Sequence, residues 1–124
     1  MTTTQAPRTP EEFMSQFTAC VAARDLDRLL ELYEPDAIFV ARPDSIHSGR
    51  AEIRAALAGL LELAPVLETQ ICEVHATGDL ALVIADWSLR GHAPDGTPVT
   101  QAGRSADVLR RRPDGTFRVV IDHP

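Results

Sequence analysis

Three aspartates, Asp86, Asp107 and Asp122, stand among apolar neighbours in segments patterned as strands. A carboxyl group taken into a dry interior is disfavoured in its charged form, and a second one beside it adds repulsion. Both effects raise the pKa of at least one of them, which makes that group a candidate general acid or base. If the side chains face inward they converge on one cavity, with Asp122 and Asp107 as the candidate catalytic residues and Asp86 as a ligand contact. Strict alternation gives Val120 the same face as Asp122. Arg104 is a candidate to neutralise a pocket carboxylate or to grip an anionic ligand group through two parallel hydrogen bonds. Phe17, Tyr33, Phe39 and Trp87 offer flat apolar surfaces for a ligand. A blander reading stands beside each: Asp122 solvated or ion-paired near the last residue, Arg104 pointing outward along its own stem, Trp87 in the core or in an interface.

Other chemistries are poorly supplied. All 12 basic residues are arginines, which excludes a Schiff-base lysine and a phosphate-loop lysine. Cys20 and Cys72 fit no paired or zinc-binding spacing and read as small buried thiols. His47, His75, His92 and His123 are scattered, so no metal site is expected, and His123 adjoins Asp122 on a strand, where neighbours point to opposite faces. The formal charge of −6, from 18 acidic and 12 basic residues, repels a polyanion, so no nucleic-acid partner is expected. The arginine run Arg110–Arg112 precedes a tight turn and has no interleaved aromatics. No apolar run reaches the ~18 residues a membrane helix needs, and the polar stretch Met1–Gln5 lacks the character of a secretory signal. The expected compartment is cytoplasmic.

The elements that position these residues follow from patterning. With 124 residues, 44% hydrophobic and 24% charged, one domain with one core is expected. Residues 1–8 read as a flexible tail and residues 9–124 as the domain. Thr9, Pro10 and Glu12 start a helix whose apolar face carries Phe13, Phe17 and Val21. Asp25 caps a shorter helix with Leu26, Leu29, Leu30 and Tyr33, ended by Pro35. Residues 37–40 form a short strand, Arg42 to Ser48 a polar loop, and Ile53, Ala56, Leu57, Leu60 and Leu61 the stripe of a third helix. Four strands follow, near 67–75, 80–91, 99–111 and 117–123, divided by Gly78-Asp79, Asp95-Gly96 and Asp114-Gly115 turns. Helices first and a meander after place the chain in the α+β class. Residues 80–89 are apolar on both faces apart from Asp86 and Ser88. Three helices cover one face only, so a second copy of the chain is expected on the other, making a homodimer through the sheet.

Four blocks, Tyr33–Val40, His47–Ile53, Gly78–Ala81 and Pro113–His123, occur in an order and spacing that resemble the nuclear-transport-factor-2-like superfamily. Within it the chain is most similar to small SnoaL-like and ketosteroid-isomerase-like bacterial proteins. The resemblance implies a cone-shaped, cystatin-like curved antiparallel sheet wrapped around N-terminal helices, with a pocket between them, and a homodimer. Set against ketosteroid isomerases, Ala41 stands where the proton-shuttling acid belongs and Phe17 where the tyrosine belongs, while Asp107 falls near the position that holds the enolate oxygen. Steroid isomerisation by that mechanism is therefore not expected, since neither alanine nor phenylalanine moves a proton. SnoaL-like cyclases use a pocket aspartate, which Asp122 resembles. The expectation is a pocket for a small, largely apolar, polyketide-like or aromatic molecule, with acid/base isomerisation, cyclisation or dehydration and no cofactor. The alternative is a non-catalytic ligand-binding or assembly domain of the same fold.

Overall fold

The computed structural model describes residues 5–124. Helix α1, Pro10–Ala23, begins where Thr9 Oγ1 accepts the Glu12 amide at 3.0 Å, and it ends at Arg24, whose φ of 53° breaks the helical path. Helix α2, Leu26–Glu31, is capped by Asp25, which accepts the Arg28 amide at 3.2 Å. Strand β1 runs Tyr33–Arg42, β2 Ser45–Ser48, helix α3 Gly49–Leu61, and strands β3 to β6 Val66–Thr77, Leu80–His92, Pro98–Arg111 and Phe117–Asp122.

The six strands form one open sheet in the order β2-β1-β6-β5-β4-β3. From β3 to β6 it is the expected antiparallel meander. Strand β1 joins it in parallel against β6, which puts the mouth of the first strand beside Asp122: Phe39 pairs with Asp122 itself. Helices α1 and α3 pack on the inner face, where Phe13, Val21, Ile53 and Leu57 meet Ala81, Val83, Ala85 and Leu109, all nearly inaccessible. Such burial is the main stabilising term. The β1–β2 pair shows why the polar loop expected at 42–48 is in fact β2: the main-chain groups of Ile46 and His47 are taken up by Val40 and Phe39, and local polarity does not prevent a short edge strand.

Pairing slips by one residue at three places. Ile71 pairs with Ala85 but Glu73 with Ile84, leaving Cys72 as an extra residue. Val40 pairs with Ile46 but Arg42 with Ser45, leaving Ala41 extra. Leu109 pairs with Val119 but Val108 with Ile121, leaving Val120 extra. Bulges bend a strand and change which side chains face inward, and both effects shape the cavity. The Cys72 bulge also corrects the expectation for that thiol, which is exposed; Cys20 is buried.

The tail expected at residues 1–8 lies in part, at 1–4, outside the described residues. Residues 5–8 are held in place. Pro7 is fully buried, its carbonyl accepts the Phe117 amide at 2.8 Å, and the Gln5 carbonyl accepts Gln16 Nε2 at 2.6 Å. A proline with no N–H to satisfy costs little to bury, and a strand end supplies the donor its carbonyl needs.

Candidate active site

Between the helices and the inner face of the sheet lies a cavity of about 530 Å³. Its walls are mostly apolar: Phe13, Met14 and Phe17 from α1, Leu60 from α3, and Leu67 and Leu89 from the sheet. Two buried carboxyl groups, Asp107 and Asp122, also line it, with the buried Ser105 nearby. Asp107 arrives by simple alternation along β5, whose inner side reads Ser105, Asp107, Leu109. Asp122 arrives differently. The bulge at Val120 makes Val119 and Asp122, three apart, the buried pair of β6.

The two acids lie close enough to interact, and Tyr33 donates its hydroxyl to Asp122 Oδ2. The backbone N–H of His123 donates to Asp107 Oδ1 at 3.1 Å. Burial pushes Asp107 up to about 9, and the charge on Asp122 adds to the rise. Burial also raises Asp122, but donation from Tyr33 and from Asp107 works against that rise. Asp107 is therefore the member that holds a proton at neutral pH, and the two donors favour charge on Asp122. Tyr33, buried and facing that charge, is raised well above the ordinary phenol range and stays a donor.

Of the other residues singled out in the sequence, Phe17, Phe39 and Trp87 line the cavity. The Trp87 ring lies over Gly103, where an added Cβ would come within 3.1 Å of it, and its Nε1 is a buried donor without a partner among the described residues. It is therefore a cavity residue, not part of the outer sheet surface. Four placements differ from expectation. Asp86 is exposed on the outer face, because the inner side of β4 is set by Ala81, Val83, Ala85 and Trp87. Arg104 is its cross-strand neighbour and pairs with it at 2.8 Å, so the guanidinium that was to serve the pocket serves an outer ion pair. Val120 is turned off the Asp122 face by the bulge. Tyr33 is too deep to stack on a ligand; it touches Asp122 instead. Arg42, Gln101 and Met14 also line the cavity and were not singled out; for Arg42 the reason is that no local pattern shows which strand residues turn inward at a bulge.

Among the described residues no group of three or more His, Cys, Asp or Glu is placed to hold a metal ion. No helix among them is long and apolar enough to cross a membrane.

An open curved sheet closed over helices, with an acid pair at the base of an apolar hollow, defines an α+β protein of the nuclear-transport-factor-2-like, cystatin-like kind. The chain belongs to the SnoaL-like domain family, whose model matches residues 14–120. Among solved structures it is similar in fold to a ketosteroid isomerase-like protein from Erwinia carotovora atroseptica, at 16% identity over 90% of this chain and 88% of that one, with a TM-score of 0.78. It is also similar to an NTF2-like protein with a cystatin-like fold from Novosphingobium aromaticivorans, at 20% identity over 90% and 75%, with a TM-score of 0.74. A third, named as a candidate dehydratase of the NTF2-like family from Streptomyces avermitilis, shares 21% identity over 91% and 90%, with a TM-score of 0.74. No curated protein sequence matches the chain.

Proposed function

We propose that this protein binds a small, largely apolar molecule in the cone cavity and moves a proton next to a carbonyl group, as isomerisation, cyclisation or dehydration requires. The observation that carries this reading is the buried pair Asp107–Asp122 on the cavity wall. In the proposed reaction Asp107 gives its one O–H as a hydrogen bond to the substrate carbonyl oxygen instead of to Asp122. Asp122, the ionised partner, removes a proton from the adjacent carbon and returns it elsewhere on the same molecule. A carboxylate has about four acceptor positions, so donation from Tyr33 leaves Asp122 capacity to act as a base. The negative charge that develops on oxygen meets a donor already in place in a dry setting, where such donation is worth most. The dehydratase-like and isomerase-like names of the similar structures are compatible with this chemistry and do not choose between its forms.

The same reading makes the protein a cytoplasmic homodimer joined through the outer face of the sheet. That face carries Leu80 and Leu82, 36% and 37% exposed, beside the partly covered Ile84 and Val108. Contiguous apolar surface of this kind is normally covered by a partner.

The test uses 2-tetralone, a bicyclic ketone with exchangeable protons beside its carbonyl, in heavy water. The protein is expected to accelerate exchange of those protons, followed by NMR, and Asp122→Asn is expected to lose the acceleration while retaining the fold. Failure of the wild-type protein to accelerate exchange in any of a panel of such ketones would favour a binding or assembly role.

A further inference from the structure

The rim of the cavity carries a cation that the proton chemistry does not use. Arg42 is exposed, lines the cavity, and makes no ion pair among the described residues. It reaches that position through the bulge at Ala41. On a regular strand neighbours point to opposite faces, so with Phe39 inward, Ala41 would also face in and Arg42 out. Because Ala41 is the extra residue in the β1–β2 pairing, Ala41 and Arg42 both line the cavity. Redirecting a side chain in this way is what a bulge beside a binding site does.

Gln101, also exposed, supplies an amide to the lining from the inner side of β5. It stands six residues before Asp107, and Arg42 stands three after Phe39, the strand neighbour of Asp122. At about 3.3 Å per residue, the rim groups begin roughly 10 to 20 Å along their strands from the acid pair. The wall between is largely apolar, with Leu67, Leu89, Trp87 and Phe17. Elsewhere the net charge of −6 repels anions. An arginine turned toward the hollow and left without a carboxylate of its own offers a planar, bidentate seat for one.

We propose that the cavity selects molecules bearing a carboxylate at the end remote from the reacting carbonyl, with Arg42 as the residue that reads it and Gln101 as a second donor at the rim. This inference rests on the cavity reading above and deepens it from "apolar" to "apolar with one anionic end".

The test compares two flat probes by isothermal titration at neutral pH: 2-naphthol, and 6-hydroxy-2-naphthoate, which adds a carboxylate at the far end of the same frame. Wild-type protein is expected to bind the naphthoate about ten-fold more tightly or better, the scale of one charge-assisted hydrogen bond. The preference is expected to shrink when salt is raised from about 0.05 M to about 0.5 M. Arg42→Gln is expected to erase it. Equal affinity for the two probes in wild-type protein, or a preference that survives in R42Q, would overturn the role of Arg42 and leave the cavity reading standing. If neither probe binds, both are overturned.

Discussion

Asp107 and Asp122 face each other across adjacent strands because a bulge takes Val120 out of the β5–β6 pairing. Leu109 pairs with Val119 and Val108 with Ile121, and continuing that register sets Asp107 opposite Asp122. Were Val120 a regularly paired residue, plain alternation from the inward Val119 would turn Asp122 to the outer face.

Asn at either position separates the two roles. Asp122→Asn removes the group proposed to accept a substrate proton and should lower the exchange rate by about 10²- to 10⁴-fold. Asp107→Asn keeps a hydrogen-bond donor beside Asp122 and should cost less. Equal losses in the two variants, measured by NMR exchange, would refute the division of labour.

The pH dependence of stability has a definite sign. Asp107 in the folded protein is held at about 9, above its ordinary carboxylate value, so between the two values the folded state binds more protons than the unfolded one. Stability is therefore fullest below the ordinary value and declines as pH rises toward 9, by up to about 1.4 kcal/mol per pH unit. Asp122, shifted the same way, adds to the trend. Thermal melts from pH 5 to 9 should show a falling Tm, and Asp107→Asn should flatten the slope. A wild-type Tm that rises across that range would contradict the buried, protonated assignment.

Tyr33→Phe keeps the ring in the core and removes the hydroxyl donated to Asp122. Asp122 then loses a donor that stabilises its charge, and its pKa rises. The acid limb of the exchange-rate profile should move to higher pH, with a stability loss of about 1–3 kcal/mol. A profile that keeps its position would show that Tyr33 only fills space.

Gly103→Ala places a methyl group 3.1 Å from the Trp87 ring. The ring must shift into the cavity, so apolar probes should bind more weakly. Trp87 is the sole tryptophan, and its emission reports the shift directly. Unchanged emission and unchanged 2-naphthol affinity would mean that the ring does not bound the binding space.

The outer face is tested by mass. Light scattering on a sizing column should give about 27 kDa, twice the 13.5 kDa chain. Leu82→Arg should reduce it to the monomer, since a charge buried without a partner in an interface is costly. A monomeric wild-type protein would remove the dimer.

Much of the frame was legible because its signals are local. Thr9 and Asp25 cap the helices they were expected to cap, and the Asp-Gly turns fall where the strands reverse. The acids at 107 and 122 stood out as charges among apolar residues. The choice of face was not legible for Asp86, because β4 is apolar on both sides and nothing within the strand says which side the helices cover. Val120 and Arg42 were misjudged or passed over because bulges reverse alternation, and neither bulge carries a glycine or proline to announce it. Tyr33 and Asp122 are 89 residues apart, so their hydrogen bond has no signature in either neighbourhood.

The surplus residue in the last strand has an evolutionary corollary. Loss of the single codon for Val120 leaves Val119, Ile121 and Asp122 in plain alternation, so the acid stays on the wall of the hollow while the strand straightens. A change of length at that point is thus a route by which a scaffold of this shape alters its curvature, and with it the size of guest it admits, while keeping its reactive group.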